Sequence, residues 1–122
     1  MNTIVLTDGT EPEPDVSVAP GTPLDYLQQH PRANELLLAV EVSDSTLTKD
    51  RGLKLVSYAQ SGLSEYWIVN LVNRQLEVYR RPALAGDYAD AVVYLSGQSV
   101  APLSAPNSPI AVADLPPPVQ QL

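Results

Sequence analysis

"LLLAVEVSDSTLTKDRGLKLVSYA", residues 36–59, decides the fold. An apolar run over 36–40 continues past a single carboxylate into Val42, and a stretch with helical spacing follows. The run predicts a strand over 35–43 with two apolar faces, Leu36, Leu38, Val40 and Val42 on one and Leu37 and Ala39 on the other. A strand of that kind is central in its sheet and covered on both sides. Glu41 shares the face of Leu37 and Ala39. A carboxylate placed there is strongly disfavoured unless a cation or several donors compensate it. "SDST" then offers helix N-caps at Ser45 and Thr46, a helix is expected from about 47 to 61, and Gly62 suits the position just past its end. Leu47, Leu55, Val56, Ala59 and Tyr58 supply its apolar side. Asp50, Lys54 and Tyr58 follow at four-residue steps and share a face, so Asp50 is expected to pair with Lys54.

Outward from this centre the pattern is mostly extended. "TIVLT", 3–7, and "DVSVA", 15–19, read as strands on the N-terminal side, separated by Asp8-Gly9 and by "EPEP", whose prolines forbid helix. "EYWIVNL", 65–71, is a second buried strand, "LEVYRR", 76–81, its hairpin partner after the turn "VNRQ", and "DAVVYL", 90–95, and "SPIAVADL", 108–115, two further short strands. The twelve prolines crowd both ends and leave 32–81 free of them. The expected architecture is therefore α/β: a mixed central sheet with one main helix after the Glu41 strand and an antiparallel edge. It forms a single domain over 1–115, and 116–122 forms a flexible proline-rich tail.

Composition narrows the chemistry. The chain has 122 residues, no cysteine and one histidine. Disulfides, thiolate metal sites, a cysteine nucleophile and a multi-histidine zinc site are excluded within one chain. Hard, oxygen-liganded ions such as Mg²⁺ or Mn²⁺ remain. A net charge of −7 argues against strong non-specific nucleic-acid binding. Lys49, Arg51 and Lys54 nevertheless concentrate three of the seven basic residues at one place. No apolar run reaches the roughly 18 to 20 residues of a membrane helix, and the sequence starts without the pattern of a signal peptide, so a cytoplasmic location is expected.

If the strands of 15–19 and 36–43 are neighbours, Asp15 and Glu41 project from one side of the sheet. Two carboxylates that close favour uptake of a proton or a cation. Lys54, about two turns into the helix, has the reach to return its ammonium to the same spot. Two carboxylates, a divalent ion and a lysine suit phosphodiester hydrolysis. The alternatives are a surface role for Asp15, a structural ion pair of Glu41 with Lys54 or Lys49, and a solvated Lys54. Tyr58, Tyr66 and Trp67 read as core residues, Tyr79 and Arg80 as an exposed strand face, and His30 as a surface residue.

Taken in order, "EPEPDVSVAPG", "HPRANELLLAVEVSDSTLTKDRGLKLVSYAQSGLSEYWIVNL" and "RQLEVYRRP" resemble the Uma-two family of restriction-endonuclease-like proteins, within the PD-(D/E)xK nuclease superfamily, from residue 11 to about 114. The resemblance implies that Asp15 and Glu41 hold Mg²⁺ or Mn²⁺, and that DNA is the substrate. It also implies that Ser43 fills the slot where the superfamily often has its lysine, a role carried instead by Lys54 on the next helix. Family members usually begin some 60 to 70 residues earlier with a helix bearing another glutamate. The expectation is of a domain lacking that N-terminal helix. A catalytically inactive remnant of the fold, acting as a homodimer or protein-binding module, is the alternative.

Overall fold

The structure, a computed structural model, describes residues 3–26 and 29–115. The tail expected at 116–122 lies outside the described residues. The central strand of the sequence reading is β2, Leu38–Ser43. It stands between β1, Val16–Val18, and β3, Glu65–Asn70, followed by β4, Gln75–Pro82, and β5, Tyr88–Leu95. The sheet runs in the order β1-β2-β3-β4-β5. Only the β2–β3 pair is parallel, and the crossover between them carries the helices. This is the mixed α/β arrangement expected from the sequence.

Alternation along the strands sorts the side chains into two layers. Ala39, Glu41 and Ser43 share a face with Tyr66, Ile68 and Asn70 of β3 and with Gln75, Glu77 and Tyr79 of β4. The helices cover this face, and Tyr58, Ala59, Leu63, Ile4 and Leu6 complete its core. The opposite face presents Leu38, Trp67, Val69, Leu76 and Val78. It is covered by a two-stranded ribbon, β6 (Ser99–Val100) and β7 (Ile110–Ala111), and by Val112 in the short 3₁₀ turn after it. Leu36, expected beside Leu38, packs instead with Ala39, because β2 starts at Leu38 and a 3₁₀ turn over Ala33–Glu35 precedes it.

Four further expectations are corrected. "TIVLT" is not a strand; it makes one bridge, Val5 to Arg32, although Ile4 and Leu6 are buried. Its other side faces Pro12, which accepts a bond from the Ile4 N–H at 3.0 Å and has no N–H to return. The single helix is two: α1, Leu47–Arg51, and α2, Leu53–Gln60, broken at Gly52 with φ −97° and ψ −102°. Of the expected apolar side of these helices, Val56 is exposed. The strand of 108–115 shrinks to β7, which pairs with β6 and not with β5.

Candidate metal and catalytic site

Asp15 comes to Glu41 through the way β1 ends. In the antiparallel register Val16 faces Val40, so position 14 falls opposite Val42, and Pro14 stops the ladder there. The Asp15 carboxylate takes over, its Oδ2 accepting the Val42 N–H at 2.7 Å. Glu41 answers from the neighbouring strand, its Oε1 accepting the Asp15 N–H at 3.3 Å. The two acids named from the sequence therefore meet at the β1–β2 edge, each gripping the backbone of the other's segment.

Glu41 is 3% exposed, and its Oε2 turns toward α2. It accepts from Lys54 Nζ at 2.9 Å and from the Tyr58 hydroxyl at 3.0 Å. Lys54 and Tyr58 are one turn apart on α2, so a single helix face delivers both donors. Lys54 also stands 3.3 Å from Asp50 Oδ1, the pair expected from their spacing. Asp50 itself is 1% exposed. Its Oδ2 accepts from Ser43 Oγ and from Thr46 Oγ1, the latter at 2.8 Å. Thr46 occupies the N-cap position of α1, but its hydroxyl serves Asp50 rather than capping. The buried Ser43 hydroxyl does the same.

Burial pushes the Glu41 carboxyl above the ordinary carboxylate range, and the lysine and tyrosine donors only partly offset it. Burial works the other way on Lys54, but the hydrogen bond to Glu41 and the charges of Glu41 and Asp50 outweigh it and hold the ammonium above its usual value. Lys54 is therefore a fixed cation here. The Tyr58 hydroxyl is pushed up by burial and by Glu41, so it remains protonated and a donor.

The sequence signal that flagged Glu41, an acid among strand apolars, applies equally to Glu77, between Leu76 and Val78, and less to Glu65, which follows Ser64 at the strand start; the sequence reading passed over both. Both are buried. Glu77 accepts from Arg51, from Asn70 at 2.9 Å, from Gln75 at 3.2 Å and from the Tyr79 hydroxyl at 2.7 Å. Burial opposes its charge, yet these donors bring it down to about 2. Glu65, on the opposite face, holds Arg80 Nε and the Trp67 indole N–H, each at 2.8 Å, and the Leu103 N–H at 2.9 Å. Tyr79 and Arg80 are thus tied to buried acids and do not form the exposed face expected of them. Tyr58, Tyr66 and Trp67 are buried as expected. Glu65 and Glu77 each have an arginine; Glu41 and Asp50 share one lysine.

Among the described residues no cluster of three or more Asp, Glu, His or Cys side chains is arranged to hold a metal ion. No helix among them is long and apolar enough to cross a membrane.

No curated protein matches the chain. A family model described as "Uma2: Putative restriction endonuclease" matches residues 2–113, nearly its whole length. By that match, and with a five-strand mixed sheet of the restriction endonuclease-like kind, the chain belongs to the Uma2 family.

Proposed function

We propose that this protein is a divalent-metal-dependent endonuclease that hydrolyses DNA phosphodiester bonds, with Asp15 and Glu41 as the metal ligands and Lys54 as the residue that orients the attacking water. The observation that carries the reading is the reciprocal grip of Asp15 and Glu41 at the β1–β2 edge with Lys54 Nζ 2.9 Å from Glu41. Two carboxylates suit Mg²⁺ or Mn²⁺ better than a dedicated protein cage would, because Mg²⁺ usually keeps several waters and takes one or two carboxylates. The charge balance fits as well. Glu41 is buried with a single nearby ammonium shared with Asp50, and burial holds its carboxyl above the ordinary range. A cation bound at Glu41 would relieve that deficit.

When bound, the ion would polarise a phosphate oxygen and lower the pKa of a coordinated water. Tyr58 holds the Glu41 carboxylate in place. Lys54, kept charged by its two acids, acts as a donor that orients water and stabilises negative charge on the phosphate; a general base needs a neutral amine. The test is cleavage of supercoiled plasmid in Mg²⁺ and in Mn²⁺, with calorimetric titration of each ion. Wild type should cleave, and Glu41→Gln should lose at least about 100-fold in rate, a loss typical of removing one electrostatic catalytic group, together with most of its metal affinity. Unchanged metal affinity in Glu41→Gln would remove the assignment.

A second reading, an inactive nuclease fold that serves as a dimerisation module, is favoured by β5. This eight-residue strand ends the sheet, and its Val92, Val93 and Leu95 are about half exposed. Its one charged residue, Asp90, is paired with Arg81. An apolar edge with so little charge invites antiparallel pairing with the β5 of a second copy. Sedimentation velocity on wild type and Val93→Lys, with no cleavage by either, separates this reading from the first.

A further inference from the structure

Asp50 enters the mechanism above only through its charge beside Lys54, yet its two carboxylate oxygens are treated differently. Oδ2 is held by hydroxyls from two elements, Ser43 Oγ of β2 and Thr46 Oγ1 at the start of α1. Oδ1 is buried, accepts no hydrogen bond and stands 3.3 Å from Lys54 Nζ. A buried acceptor left without a hydrogen bond is disfavoured. The ammonium that would satisfy it donates instead to Glu41 Oε2, at 2.9 Å. Lys54 therefore lies between two carboxylates, of which only Glu41 belongs to the proposed metal pair.

We propose that Asp50 is the positioning residue for Lys54: when a divalent cation occupies Glu41, the ammonium moves its hydrogen bond to the waiting Oδ1 of Asp50 and stays at the site. The inference rests on the metal-binding reading of Asp15 and Glu41. An ammonium and a divalent ion on one carboxylate repel each other, so Lys54 must give way when the ion arrives. Its side chain is 26% exposed, and a long flexible stem whose partner is lost swings its charge into water. Asp50 offers a nearer place. Two hydroxyls fix the carboxylate's orientation, so Oδ1 faces Lys54 before any ion is present. Asp50 precedes Lys54 by four residues, the order that favours such a pair. Since the two residues lie on either side of the break at Gly52, the seat belongs to α1 and the ammonium to α2.

The test follows the ¹H–¹⁵N correlation of the Lys54 ammonium by NMR, assigned by its disappearance in Lys54→Gln, while Mg²⁺ is titrated and its binding is measured by calorimetry. In wild type the signal should shift and persist at saturating Mg²⁺. In Asp50→Asn it should be present without Mg²⁺, through Glu41, and vanish as Mg²⁺ saturates. In Glu41→Gln it should persist without any metal. Loss of the signal in wild type with Mg²⁺ bound, or its loss in metal-free Glu41→Gln, would overturn the role of Asp50 and leave the metal site standing. Absence of any Mg²⁺ binding in wild type would overturn both. If Asp50→Asn does not melt cooperatively, the wild-type and Glu41→Gln spectra decide alone.

Discussion

Glu41 and Glu77 lie in one row of the sheet, separated by Ile68, and their surroundings drive them in opposite directions. Glu77 is saturated by an arginine, two amides and a phenol, and its carboxyl falls from 4.5 to about 2. A group depressed in the folded state contributes stability at pH above its unfolded value, and that stability disappears as pH drops through the folded value. The window here runs from about 4.5 down to about 2. At about 1.4 kcal/mol per unit, and discounting for the half-exposed Arg51, the contribution is about 2 to 3 kcal/mol. Urea unfolding should therefore show wild type losing about that much more stability than Glu77→Gln between pH 6 and pH 2, an acid range set by the carboxylate reference values. Parallel curves would deny Glu77 this role. A Glu41 variant tells less about the fold: burial leaves that carboxyl raised, so its charge is held against the fold's own preference.

At the scale of elements, the break at Gly52 leaves Asp50 on α1 and Lys54 and Tyr58 on α2. Gly52 donates to Thr48 O at 2.9 Å and accepts from Val56 N–H at 3.1 Å, so hydrogen bonding continues across the break. A Cβ added at Gly52 would stand 2.9 Å from that same Thr48 carbonyl, which is backbone and already fixed. Within a regular helix, glycine to alanine gains about 1 kcal/mol. Here Gly52→Ala should instead lose about 1–2 kcal/mol, the range of a local backbone clash, and a thermal melt gives the sign directly. A gain would mean that the helix is continuous in solution. This break was not legible in the sequence, because "KDRGLKL" keeps helical spacing on both sides of the glycine. β2, β3 and β4 were legible, because apolar runs bounded by turns have few other solutions. "SPIAVADL" misled because its apolar residues cover a sheet face as a short ribbon and turn, and alternation records burial rather than pairing. Asp15, Glu41 and Lys54 were each visible from their settings. Glu65 and Glu77 are buried strand acids as well, each paired with an arginine, so that setting does not by itself single out the acid proposed for a metal ion.

For the whole molecule, the relation between charge and DNA follows from which cations are free. The chain carries seven basic residues against fourteen acidic ones. Arg51, Lys54, Arg80 and Arg81 are bound in ion pairs with Glu77, Glu41, Glu65 and Asp90. No ion pair among the described residues involves Arg32, Lys49 or Arg74, so three cations are open to phosphate. Each phosphate neutralised contributes about −0.9 to the slope of log affinity against log salt. If the protein acts on DNA, that slope should be no steeper than about −2.7, roughly a 40-fold loss of affinity between 50 and 200 mM salt. Fluorescence anisotropy with a labelled duplex, in Ca²⁺ to hold any cleavage back, gives the number. A slope beyond about −4 would mean that ion pairs open to make phosphate contacts, in which case Arg81 would be the first to leave, since its side chain is 70% exposed and that of its partner Asp90 44%. For the proposed enzyme, a shallow slope would fit a phosphate held by a metal ion at the Asp15–Glu41 edge rather than by a basic surface. Binding would then weaken sharply in Glu41→Gln and change little in Lys49→Ala.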